Sequence, residues 1–350
     1  MADHQRTTHR RDTQSAGGLR SWWPSFLASF SVSRGKMAAT GMPDSQSDRR
    51  WLSYGLKVGL TLVVLIVLFS KVDTQEMVRA FGTVHWPFLV GALVLVGPNL
   101  GLQWYRWRYL VRLVKPHVAT GEIVRSSLAG LSLGLVTPGR IGEAGKIFYV
   151  QDVRRRALAG MLVGERAYTA VTNIGLGGIA FAVFIGAYWW IVFSLLALAL
   201  LSLAWTPEAG VRLLKRLLSK LPLGGKLTPV LDGLSHLNGE KGRKLLFLSV
   251  LLFGIHWTQF YLLISAFGHI GMREALWAIP AIVFVRSIFP FTLGDLGIRE
   301  AAAVFVLGRF GIASAVAVDA ALLLFGMNVL LPGLLGTFLV HRVRREEISP

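Results

Sequence analysis

Residues 137–146 read TPGRIGEAGK and follow directly on SSLAGLSLGLV (126–136), a run apolar enough to enter a bilayer. A spanning helix would continue there. Instead Pro138, Gly139 and Gly142 interrupt it, and Arg140 and Glu143 place charge on the broken backbone. A charged side chain at membrane depth costs ~2.5 kcal/mol or more and is usually kept for function. What these charges do depends on how the rest of the chain is organised.

The chain has 350 residues, 53% of them hydrophobic and 16% charged, with a mean hydropathy of +0.54. Soluble chains carry about 25% charged residues, and several apolar runs here approach the ~20 residues that cross a bilayer. The composition describes an all-α, polytopic integral membrane protein. Its net charge of +18 would also suit a nucleic-acid binder. The bases, however, stand in short clusters beside apolar runs, as membrane orientation requires, so no nucleic-acid partner is expected. With no cysteine there is neither a disulfide nor a thiolate metal site, and the eight histidines form no HExxH or paired pattern. No metal or cofactor is expected.

Residues 1–50 are polar and basic and read as a disordered cytosolic tail. Within them WWPSFLASFSV (22–32) is too short to span, and Met37 and Met42 are alternative starts to Met1. Six spans follow: Trp51–Ser70, His85–Tyr105, Ala157–Phe181, Ala182–Trp205, Leu245–Phe267 and Ser314–Val340. Two segments, 121–151 and 275–311, fit no single crossing. Each is an apolar half, a Gly/Pro break with charges, and a second short half.

The tail, 106–115, 138–156, 206–244 and 341–350 hold 28 of the 37 Lys and Arg residues, whereas 71–84 and 268–274 hold only Lys71, Arg79 and Arg273. Cytoplasmic loops carry that excess. Both termini, including the short tail 341–350, are therefore expected in the cytosol. Segments 121–151 and 275–311 then dip in from opposite sides as re-entrant helical pairs. Such backbone survives at depth only inside protein or beside a wet cavity. An internal repeat agrees: Thr137, Gly139, Gly142 and Glu143 resemble Thr292, Gly294, Gly297 and Glu300, and an offset of 155 carries the neighbouring spans onto each other. The expected domain, 51–340, thus contains inverted repeats over about 85–181 and 245–340, a recurrent transporter plan.

PNLGLQWYRW (98–107), TPGRIGE (137–143), GERAY (164–168) and FPFTLGDLGIRE (289–300) together resemble the transmembrane region of lysylphosphatidylglycerol synthases, a flippase-like family. The resemblance covers about 86–340. Thr169 and Asp295 depart from its pattern, where an acidic residue and a glycine are usual. The resemblance implies movement of aminoacylated phospholipid between leaflets of the cytoplasmic membrane, and relatives are linked to polyprenyl-linked sugar lipids. It also implies a separate lipid-modifying or glycosyl-transferring enzyme as partner, because the synthase domain that follows the family's membrane part is not present before Pro350.

Each break should start a half-helix whose first N–H groups lack partners. Those donors and the positive helix end favour an anion. Arg140, Arg166 and Arg299 offer planar forks for phosphate, on backbone shaped by Gly139, Gly142, Gly294 and Gly297. Glu143, Glu165 and Glu300 would take a cationic group or a coupling proton. A purely structural role competes with this. Glu143 and Glu300 fall in first helical turns, where a carboxylate stabilises the dipole by ~0.3–1 kcal/mol without any substrate. Glu165 and Arg166 could equally pair with charges on a re-entrant loop. Arg106 and Trp107 read as an interfacial anchor, and Asn99 and His256 as interhelical hydrogen-bonders. No nucleophile with a base is visible, so an enzyme is not expected. A lipid or lipid-linked-headgroup translocator leads, ahead of an integral-membrane transferase and a non-catalytic scaffold for a separate synthase.

Overall fold

The computed structural model describes residues 84–186 apart from 136, 138 and 139, then 192–197 and 199, 239–289 and 296–346, with isolated positions at 82, 212 and 237. The expected tail 1–50, the span 51–70, most of 187–205, and Gly139, Gly294 and Asp295 lie outside the described residues. Every regular element among the described residues is helical. They are α1 (Trp86–Val94), α2 (Val96–Val114), α3 (Thr120–Leu135), a 3-10 helix (Ile141–Tyr149), α4 (Arg155–Ile185), α5 (Gly239–Phe267), α6 (Met272–Ile288), α7 (Ile298–Gly308), α8 (Ser314–Phe325), a π-helical turn (Gly326–Leu330) and α9 (Leu331–Glu346).

Four stretches among them are long and apolar enough to cross a membrane: Trp86–Val114, Arg155–Ile185, Gly239–Phe267 and Ser314–Phe338, of 29, 31, 29 and 25 residues. At 1.5 Å per residue each exceeds the ~30 Å hydrocarbon layer with room for tilt. They also run past the bounds expected from hydropathy. The third begins at Gly239 rather than Leu245, the second ends at Ile185 rather than Phe181, and α9 reaches Glu346, into the expected C-terminal tail. Hydropathy marks the apolar core of a helix, while backbone hydrogen bonding continues beneath long basic side chains that cover apolar surface with their stems. Lys244, in the extension of α5, lies 5.7 Å and 4.6 Å from the ring centroids of Tyr105 and Tyr109 on α2.

The two irregular segments are hairpins. α3 and the 3-10 helix pack against each other through small residues: a Cβ on Gly130 would lie 3.0 Å from Lys146 Cβ, and one on Gly134 would lie 2.6 Å from Glu143 Cγ. Their outer ends are tied together. Glu122 accepts from the Gln151 N–H at 2.6 Å and from Lys115 Nζ, which also donates to Gln151 O at 3.1 Å. In the second hairpin α6 and α7 pack against each other, and Ala275, Ile279, Val306 and Leu307 belong to one core.

The halves of the chain interlock. α6, the first arm of the second hairpin, packs on α4, and α3, the first arm of the first hairpin, packs on α9. Glycine allows both approaches. A Cβ on Gly177 would lie 2.6 Å from Pro280 O, and one on Gly336 would lie 2.7 Å from Leu128 O. Apolar side chains gain little by leaving lipid for another helix, so membrane helices associate through close backbone approach at small residues. The main core joins Ala180 of α4, Phe260 and Leu263 of α5, Ile279 and Ile282 of α6, Ala303 and Val306 of α7 and Ala317 and Ala321 of α8.

Candidate functional site

The first break turns at Arg140, whose φ of +55° is left-handed. Thr137 stabilises it. Its hydroxyl donates to Leu133 O at 2.9 Å and accepts from the Gly142 N–H at 2.7 Å. The Glu143 N–H bonds Arg140 O at 3.1 Å. The backbone donors expected to await an anion at Gly142 and Glu143 are therefore occupied, because a hydroxyl placed just before a helix start caps it. Binding capacity at this break rests on side chains.

Those side chains form a network. The Glu143 carboxylate takes the guanidinium of Arg140 on one oxygen and that of Arg166 on the other. Deeper in, Lys146 Nζ lies 2.7 Å from Glu165 Oε2 and 4.1 Å from the Trp107 ring centroid. Arg106, 2% exposed, donates to Glu165 O at 3.2 Å, Thr169 Oγ1 at 2.8 Å and Ser249 Oγ at 3.2 Å. Ser126 receives the Trp107 N–H at 3.0 Å and donates to Lys146 O at 2.7 Å, tying α2, α3 and the 3-10 helix together. Among the described residues, four cationic side chains (Arg106, Arg140, Lys146 and Arg166) thus stand around two carboxylates, Glu143 and Glu165. Arg166 is the most open, with 48% of its side chain accessible.

At the second break Gly297 has φ +87°, a conformation that favours glycine. Its N–H donates to Glu300 Oε2 at 2.6 Å. Glu300 is fully buried and braces the start of α7, the dipole-stabilising role that its first-turn position allowed. Arg299, 3% exposed, lies 5.4 Å from the Phe325 ring centroid.

Residues 54–336 match the family described as the lysylphosphatidylglycerol synthase TM region. The chain belongs to this family. None of the curated proteins compared with it matches the chain. Membership makes it a multi-pass membrane protein linked to lipid synthesis or translocation.

Within this synthase-TM fold, Arg140, Glu143, Glu165 and Arg166 come together, joined by Arg106 and Lys146, which sequence reasoning had not placed there. Arg106 is not an interfacial anchor. Helical rotation turns it inward, while its neighbour Arg108 lies 5.2 Å from the Trp104 ring centroid. Lys146 carried a readable signal, its place three residues after Glu143, which a 3-10 helix with three residues per turn puts on the same face. Asn99 meets Gln103 of its own helix at 2.6 Å rather than a neighbouring helix. His256 lies within α5 and Arg286 in the last turn of α6.

Proposed function

We propose that this chain translocates a phosphate-bearing lipid, either a phospholipid or a polyprenyl-linked headgroup, across the cytoplasmic membrane. The carrying observation is the buried network in which, among the described residues, Arg106, Arg140, Lys146 and Arg166 stand around the carboxylates of Glu143 and Glu165. Planar guanidinium forks suit phosphate oxygens, and burial strengthens each contact relative to water. In this reading the two hairpins are re-entrant, one dipping from each face, and the halves are an inverted repeat. Pseudo-symmetry then supplies two access states of similar energy around one fixed site. Both termini face the cytosol. Arg140 and Arg299 hold phosphate from the two sides, Arg166 meets the headgroup first, and Glu143 positions both Arg140 and Arg166. A separate lipid-modifying or glycosyl-transferring enzyme supplies or consumes the cargo.

The test is translocation of fluorescently labelled phosphatidylglycerol in proteoliposomes, comparing wild type with Arg140→Lys and Arg299→Lys at matched incorporation. Lysine keeps the charge and loses the fork, so both variants should slow movement tenfold or more while still inserting, ~1.4 kcal/mol each. Unimpaired variants would remove both arginines from the site. Absence of movement by wild type, with polyprenyl phosphate also tried, would favour the scaffold reading.

A further inference from the structure

α8 carries one acidic residue, Asp319, within SAVAVDAALLLF (314–325). It is 1% exposed, and neither carboxylate oxygen has a hydrogen-bond partner. One turn to either side stand Ala315 and Leu322, which form an apolar cluster with Val318 and with Val304 of α7. An ionised carboxylate would find no compensation there, whereas the neutral acid has far less solvation to lose.

The charged groups on neighbouring elements are engaged elsewhere or distant. On and after α7, Arg299 lies over Phe325, Glu300 holds the Gly297 N–H, and Arg309 lies over Phe184. α5 runs antiparallel to α8, since a Cβ on Gly268 would meet Val316 Cγ1 at 3.0 Å while Gln259 bonds Asn328 at 2.7 Å. That register puts His256 and Tyr261, and beyond them Glu240, Lys241, Arg243 and Lys244, away from Asp319. His269 follows α5 and is exposed. On α6, which shares the core, Arg273 and Glu274 occupy the first turn and Arg286 the last. Among the described residues none forms an ion pair or hydrogen bond with Asp319.

The internal repeat explains why. Glu143-Ala-Gly-Lys146-Ile-Phe148 aligns with Glu300-Ala-Ala-Ala303-Val-Phe305. In the first copy Lys146 reaches a buried acid on the following span, Glu165. In the second copy its counterpart is Ala303, fully buried, and the acid on the following span is Asp319. The first copy holds an ion pair here, whereas the second has alanine in the lysine's place and an acid, Asp319, three residues before the position equivalent to Glu165. A metal cation would need several oxygen ligands, and among the described residues no cluster of three or more His, Cys, Asp or Glu side chains includes Asp319. A proton needs only the carboxylate.

We propose that Asp319 is an exchangeable-proton site: it takes a proton from hydronium, releasing water, and returns it to water when the helices around it rearrange. Resting on the translocator reading, this proton is the coupling ion for headgroup movement. The π-helical turn Gly326–Leu330, which begins seven residues further on, is a local irregularity at which α8 can move relative to α9.

Infrared difference spectra of purified protein between acidic and alkaline buffer test proton exchange without any lipid assay. Wild type should show a neutral-carboxyl band that alkali removes. Asp319→Asn should lack it, and Asp319→Glu should restore one at shifted frequency. A spectrum independent of residue 319, or a band that no buffer removes, would overturn the site. In proteoliposomes carrying labelled phosphatidylglycerol, a pH gradient should accelerate wild type and lose its effect in Asp319→Asn. Acceleration by a sodium gradient instead, or an undiminished pH effect in Asp319→Asn, would overturn the coupling. Were wild type to move no labelled lipid, the translocator reading and the coupling would fall together, and the infrared titration alone would uphold or remove the proton site.

Discussion

Lys146 and Glu165 are close to fully enclosed, with 10% and 12% of their side chains accessible. Removing one partner of such a pair leaves an uncompensated buried charge, at a cost of about 3–5 kcal/mol, whereas replacing both can be neutral. Lys146→Met should therefore lower the melting temperature in detergent sharply, and Lys146→Met with Glu165→Leu should recover most of the loss. Tryptophan fluorescence can follow both, since the chain has 11 tryptophans. A double variant no more stable than Lys146→Met would show that the pair does not act as a unit. Gly297 poses a backbone question at the same scale. A side chain at φ +87° is strained by about 1–3 kcal/mol. Gly297→Ala should destabilise by that order, visible as a lower melting temperature, whereas Gly308→Ala, where no atom lies within 4 Å of the added Cβ, should not.

Among the helices, glycine decides which faces meet. Gly177 lies against Pro280 and Phe284, and Gly336 against Leu128 and Ser132, with added-Cβ distances of 2.6–2.8 Å to the nearest atoms on each side. Leucine at either position should separate α4 from α6, or α9 from α3, and sharply reduce folded protein recovered in detergent. Gly101 and Gly254 meet nothing within 4 Å, so alanine there should be neutral or stabilise by up to ~1 kcal/mol through helix propensity. Size-exclusion profiles of the four variants check both halves of this expectation. The first hairpin adds a second lesson. Its second arm is a 3-10 helix rather than an α-helix, and three residues per turn stack Glu143 and Lys146 on one face.

For the whole molecule, the open matter is sidedness. The chain contains no cysteine, so single cysteines report position cleanly. With cytosolic termini, a cysteine replacing exposed His269, just after α5, should react with an impermeant maleimide added outside intact cells. One replacing exposed Arg154, just before α4, should react only after permeabilisation. The reverse labelling would invert the orientation, and equal labelling of both from one side would break the inverted repeat.

Membrane class, the apolar cores of the spans and the positions of both hairpins follow from local composition, because hydrocarbon excludes unpaired backbone and charge whatever the neighbours are. Family membership was legible for the same reason: the motifs at 137–143 and 289–300 are contiguous in the chain. The site was legible only in part. Arg140, Glu143, Glu165 and Arg166 stood out as charges on or beside broken helices, but their pairing did not, since Lys146 and Glu165 are 19 residues apart and Arg106 and Ser249 are 143 apart. Which side of a helix faces lipid depends on its rotation, and that is set by glycine contacts such as Gly177–Pro280 and Gly336–Leu128. Tertiary packing alone turned Arg106 inward, and it alone withheld a partner from Asp319. A charge reads the same in sequence whether its neighbour is a lysine or an alanine brought there from another helix.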